Sequence, residues 1–277
     1  MPPLSEIYFP IVKIGNYSLA SWQIFWVLAR VFFVMIVYRE AVRLDLNRRI
    51  VIGIAVFNFF AVSFFEKILF FLSQKALHQS NLNLSLNNWF SWGRVYFGAL
   101  IGLALAVLVG AIVSRSLKKI PRYFDVMLTA SAVTLIFYRL GNFLGQTHPG
   151  TMTDFPLGFY FKGVARHNPV FYELISLAIL SVFIWKLRKR IKTPGVLALI
   201  ITGWLSLSRV ITDSFRADDL PASNFHFQNG FTLNQLAYFI LFWLCFLALL
   251  ALFIFKKQLT FNKKGGETQS GNKDSFD

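Results

Sequence analysis

The sequence predicts an all-α fold: a polytopic integral membrane protein of about seven transmembrane helices, with its N-terminus outside and its C-terminus in the cytoplasm. Three observations carry that prediction. Of 277 residues, 56% are hydrophobic and 15% charged, against roughly 45–50% and about 25% in soluble domains. Apolar runs of about 20 residues, enough to cross a hydrocarbon core of about 30 Å, recur along the chain. The Lys and Arg residues gather in alternate connecting segments.

Seven spans are expected, at 17–38, 50–73, 95–114, 124–144, 170–187, 194–212 and 232–255. Arg39, Arg43, Arg48 and Arg49 follow the first. Arg115, Lys118, Lys119 and Arg122 follow the third, and Lys186, Arg188, Lys189, Arg190 and Lys192 follow the fifth. Lys256 and Lys257 follow the seventh. The opposite loops, 74–94, 145–169 and 213–231, are polar, poor in Lys and Arg, and hold all four histidines. The excess of positive charge in cytoplasmic loops sets the orientation. Pro121 and Pro194 sit where spans begin, as prolines of a first helical turn do.

The net charge of +15 serves this topology, and no nucleic-acid partner is expected. Cys245 is the only cysteine and lies in an apolar run, which excludes an intramolecular disulfide and a cysteine zinc site. Residues 1–16 lack the basic, apolar and small-residue sequence of a cleaved signal peptide, so none is expected. Residues 1–257 form one transmembrane domain, and 258–277, rich in Gly, Ser, Asn and charge, form a disordered cytoplasmic tail. There is no internal repeat.

The polar residues of the spans need explaining. A charged side chain at the centre of a span costs about 2.5–3.5 kcal/mol on insertion scales and usually faces an interior site. Arg139 stands in the outer part of the fourth span with Asn142 three residues on, on one helical face, and with Gly141 two residues on, where a backbone or headgroup can come close. Arg209 and Asp213, four apart, end the sixth span before Arg216, Asp218 and Asp219. Either pair serves helix packing or ligand binding. Arg166-His167-Asn168-Pro169-Val170-Phe171-Tyr172-Glu173 leads into the fifth span; Asn168-Pro169 reads as a helix start, and Glu173 as a residue of its first turns. Glu66-Lys67, in the second span, point in different directions. Three arginines at similar outer depth suit a shared anion, since guanidinium forks bind phosphate bidentately. The phosphate available there is a phospholipid headgroup.

At these residues the chain resembles the prolipoprotein diacylglyceryl transferases, a family with a Gly-Arg-x-Gly-Asn-Phe-x-Asn-x-Glu signature ending in a glycine. Tyr138-Arg139-Leu140-Gly141-Asn142-Phe143-Leu144-Gly145-Gln146-Thr147 matches its core, and Gly150 falls at the closing glycine. The family's Arg-His-Pro-Ser-Gln-Leu-Tyr-Glu element is similar to residues 166–173. Its Phe-Arg-Ile-x-x-Glu-x-Phe-Arg helix is similar to Ser208-Arg209-Val210-Ile211-Thr212-Asp213-Ser214-Phe215-Arg216, and its Gly-Gln to Asn234-Gln235. The resemblance covers residues 15–257.

It implies a multi-pass enzyme of the bacterial plasma membrane that moves diacylglyceryl from phosphatidylglycerol to the lipobox cysteine thiol of a preprolipoprotein, acting as a monomer without metal or cofactor. Arg139, Arg209 and Asp213 would be catalytic. Arg139, Gly141, Asn142, Gly150, Arg209 and Arg216 would bind the headgroup, with Asp213 positioning Arg209. The family's His-Gly-Gly, which supplies a candidate base, is matched by Tyr96-Phe97-Gly98-Ala99, so Phe97 stands at the histidine. Trp22-Gln23-Ile24 replaces a Trp-Tyr-Gly, Thr147 the signature's glutamate, and Phe65-Glu66-Lys67 a Gly-Gly-Arg. Tyr96, His148, His167 or Glu173 would then be the base or its support. The alternative is a paralogue that binds headgroups without this activity or with another acceptor. A transporter would instead line a path through both leaflets.

Overall fold

The computed structural model describes residues 11–15, 17–76, 96–145, 148–155, 158–161, 163–216 and 232–270. Seven helices follow in chain order: α1 (Ser21–Arg43), α2 (Arg48–Ala76), α3 (Tyr96–Val113), α4 (Ile120–Leu144), α5 (Pro169–Leu187), α6 (Val196–Asp213) and α7 (Leu233–Ser270). Six have the length and composition to cross a membrane, and α3 contributes the shorter apolar stretch Phe97–Val113. The protein is a polytopic membrane bundle.

The all-α class holds, and some expected bounds need correction. Two short hairpins accompany the helices: β1 (Ile11–Ile14) pairs antiparallel with β2 (Tyr17–Ala20), and β3 (Phe159–Phe161) with β4 (Val164–Arg166). The first span therefore starts at Ser21 and not at 17. Arg39 and Arg43 lie in the last turns of α1 and not in a loop, because a helix leaving the hydrocarbon can carry long basic side chains that reach the interface. Pro121 is in the first turn of α4, whereas Pro194 precedes a left-handed Gly195 that caps α6. Helix α7 is described to Ser270.

Helix α4 is central. It packs on α1, α5, α6 and α3, and 56% of its apolar window is buried against 11% for α7. Two of its hydroxyls are satisfied within the helix: Ser131 Oγ donates to the Met127 carbonyl at 2.9 Å and Thr134 Oγ1 to the Ala130 carbonyl at 2.9 Å. Neighbours are pinned to it by single polar contacts. Ser181 Oγ of α5 donates to the Ala132 carbonyl at 2.9 Å.

The buried Asp125 of α4 explains how α6 begins. No side chain of its own caps α6. Instead the Asp125 carboxylate accepts from Gly195 N at 2.7 Å and Ala198 N at 2.8 Å, filling orphan donors at the positive end of the helix dipole. Replacing Asp125 by Ala leaves those buried N–H groups unpaired, which costs about 1–3 kcal/mol. Thermal unfolding in detergent should fall for Asp125→Ala and less for Asp125→Asn. An unchanged midpoint for the alanine variant would refute the capping role.

Candidate functional site

At the end of the bundle formed by the C-terminal halves of α4 and α6 and the start of α5, the buried charges converge. Asn168 caps α5, its Oδ1 accepting from Phe171 N at 3.1 Å, and Pro169 opens the first turn. With the cap supplied by Asn168, Glu173 is not needed to cap the helix. Its carboxylate is buried and bridges two helices: Oε2 lies 2.6 Å from Arg139 Nε of α4 and Oε1 lies 2.6 Å from Arg209 Nη1 of α6. Thr212 Oγ1 donates to the same Oε1 at 3.3 Å.

Arg209 was expected to be held by Asp213, one turn on. Its distance to Asp213 Oδ1 is 3.7 Å, longer than to Glu173, and Asp213 sits nearer to Arg216 Nε, at 3.0 Å. Asp213 is thus chiefly the partner of Arg216, because side chains at i and i+3 also share a helical face. Three guanidinium charges stand against two carboxylates, leaving the cluster one positive charge in surplus. Asn142 is buried on the Arg139 face of α4.

Two glycines set the wall. A Cβ on Gly141 would meet Phe25 Cβ at 2.7 Å and Trp22 Cα at 3.0 Å, so α1 presses directly on α4 two residues beyond Arg139. Gly150 N donates to the His167 carbonyl at 2.9 Å, Thr151 N to the Phe215 carbonyl at 2.9 Å, and His167 N to the Thr151 carbonyl at 2.9 Å. A Cβ on Gly150 would strike the Phe215 and His167 carbonyls. The loop after α4 thereby ties the end of β4 to the end of α6.

Two supports were missed as site residues. Arg166 on β4 is buried and donates from Nη1 to the Gly150 carbonyl at 3.0 Å; its place before His167 was the available signal. Gln235 closes a capping box with Thr232 at the start of α7, with Thr232 N to Gln235 Oε1 at 2.9 Å and Gln235 N to Thr232 Oγ1 at 3.1 Å. Its Nε2 donates to Ser214 Oγ at 2.9 Å and the Val210 carbonyl at 3.2 Å, fixing α7 to the end of α6. Position in sequence marked Gln235, but not its contacts.

The candidate bases separate. His148, with a left-handed φ of 63°, is within electrostatic reach of Arg216, Arg139, Glu173 and Arg209. Desolvation, and then those arginines, push its imidazole down to about 3, so it is neutral at physiological pH. His148 keeps an exposed surface. His167 lies apart, its Nδ1 2.8 Å from the Tyr172 hydroxyl and its ring against Phe215 at 4.9 Å between centroids. Phe97 stacks on Tyr238 of α7 at 4.9 Å and 19°. Tyr96 begins α3. Its side chain lies outside the described residues, as do Gln146, Thr147, Asp218, Asp219, His78 and His226.

Comparison with known proteins places these features in a family. A model described as prolipoprotein diacylglyceryl transferase matches residues 10–252. A phosphatidylglycerol–prolipoprotein diacylglyceryl transferase of Campylobacter jejuni subsp. doylei is 31% identical over 152 residues, 54% of each chain. Proteins of the same description from Wolinella succinogenes and Aliarcobacter butzleri are 31% identical over 145 residues, 52% of each chain, and 33% identical over 130 residues, 46% of each chain. The chain spans about half the length of the relatives it matches.

Removing one partner of a buried ion pair costs about 3–5 kcal/mol, since it strands the opposite charge. Glu173→Gln should therefore destabilise the bundle markedly, while Asp213→Asn, beside the half-open Arg216, should cost less. Unfolding midpoints in detergent decide it. Equal effects would refute Glu173 as the bridge.

Proposed function

This chain belongs to the prolipoprotein diacylglyceryl transferase family, and from that premise we propose that it transfers diacylglyceryl from phosphatidylglycerol to the cysteine thiol of a prolipoprotein in the bacterial plasma membrane. The observation that carries the reading is the convergence of Arg139 and Arg209 on buried Glu173, with Arg216 alongside. A surplus positive charge at membrane depth suits a headgroup phosphate. A guanidinium carries five donors, so holding Glu173 and holding phosphate on one arginine are compatible.

The chemistry is a substitution at carbon. The substrate's thiolate sulfur attacks the glyceryl carbon bearing the phosphate, and a C–S bond forms as the C–O bond breaks. The electron pair passes to the phosphate oxygen, glycerol phosphate leaves, and the thiol proton goes to solvent or a nearby acceptor. Negative charge grows on the departing phosphate, where Arg139 and Arg209 would stabilise it. Asn142 would orient the headgroup. Gly141 and Gly150 would keep the α1–α4 wall and the outer loop close around it. The basic connecting segments support an outer position for this end of the bundle.

A second reading has its own support. The place of the family's histidine is taken by Phe97, whose ring is committed to Tyr238 and accepts no proton. His148 is depressed too far to take a proton from a thiol of pKa about 8.5. A headgroup-binding paralogue with another acceptor fits this wall equally well.

Complementation of a transferase-depleted strain, paired with transfer of labelled lipid to a lipobox peptide by the purified chain, separates the two. Arg139→Ala and Arg209→Ala should each lower the transfer rate by about 10²–10³-fold, and Phe97→His should raise it. No transfer by correctly inserted wild-type protein sinks the enzyme reading. The rate should climb with pH between 5 and 8, following the thiolate. It should show no separate step near 6.5, since His148 is already neutral across that range. A step near 6.5 that disappears in His148→Gln would overturn this pH assignment.

A further inference from the structure

The other end of the bundle carries a second buried charge cluster that the transfer reaction does not use. Glu40, 1% exposed near the end of α1, takes Arg43 Nε at 2.7 Å and Nη2 at 2.6 Å on Oε2, and Arg188 Nη1 on Oε1. Arg43 Nη1 also donates to the Arg188 carbonyl at 2.7 Å. Two guanidinium groups thus share one carboxylate. The Arg188 guanidinium lies over the Trp185 ring, 3.3 Å from Cζ to centroid. Its Nε is buried and meets no acceptor among the described residues.

The surroundings favour an anion. Arg39, Lys186, Lys189, Arg190 and Lys192 are exposed beside the cluster. Burial, and then the charge of Arg39, hold Arg188 below the ordinary guanidinium range. Asp125, also near Arg43, has its carboxylate committed to the start of α6. Trp185 is 40% exposed in the last turn of α5, the depth at which tryptophan rings sit among headgroups. Basic pockets between helices on the cytoplasmic side are where anionic headgroups bind.

We propose that Arg43, Arg188 and Trp185 form a binding site for one anionic phospholipid of the inner leaflet, its phosphate on the guanidinium groups and its glyceryl region against the indole. The site depends on the orientation given by the basic segments and is independent of the transferase reading.

Native mass spectrometry of the full chain, released from nanodiscs of phosphatidylserine or of phosphatidylcholine, tests it. Phosphatidylserine should stay bound and phosphatidylcholine should not. Retention should fall about fivefold or more in Arg188→Lys, which keeps a charge opposite Glu40 but loses the planar fork, and in the lipid-facing Trp185→Leu. It should be unchanged in excess inorganic phosphate. Equal retention of both lipids, or by wild type and both inner-end variants, overturns the site. Displacement by inorganic phosphate overturns the lipid as its ligand.

Discussion

Arg139 and Arg209 come from different helices and would repel each other at membrane depth if nothing stood between them. Glu173 stands there, giving one carboxylate oxygen to each. Because α4, α5 and α6 each contribute one member, the angle and register at which these three helices dock are coupled to this single bridge. A buried ion pair is weak evidence for net stability, since desolvation offsets much of the attraction. What the bridge does achieve is geometric: it allows two guanidinium groups to be held together without cancelling them both.

The remaining features of that end extend the same constraint. Asp213 moderates Arg216, and Gln235 anchors α7 to the end of α6. The seam through Gly150, Thr151 and His167 ties the outer loop to both chain segments that carry arginines. The opposite end repeats the logic with different parts, where Glu40 bridges Arg43 and Arg188 across α1 and the end of α5. At each end the carboxylate is buried and outnumbered by arginines. Such an arrangement anchors helices and keeps a positive field at the membrane surface.

Much of the fold could be read directly. Hydrocarbon thickness requires long apolar runs, so seven such runs announce seven helices, and residues as costly as Arg139 and Arg209 mark a site. The two hairpins were not readable. Residues 17–20 are apolar enough to extend a span, and it is their antiparallel pairing with residues 11–14 that makes them a strand. Asp125 drew no attention in the sequence because its role is to cap a helix 70 residues away.

The sequence by itself determined the membrane bundle, the arginines and the family to which the chain belongs. These follow from composition, spacing and residue identity, which are local properties. Only the tertiary structure decided who holds whom: Glu173 rather than Asp213 for Arg209, Tyr238 for Phe97, Arg188 for Glu40. Ion pairs within one helix can be listed from i to i+4. Partners on different helices depend on how those helices rotate and slide as they pack, and no single segment carries that information.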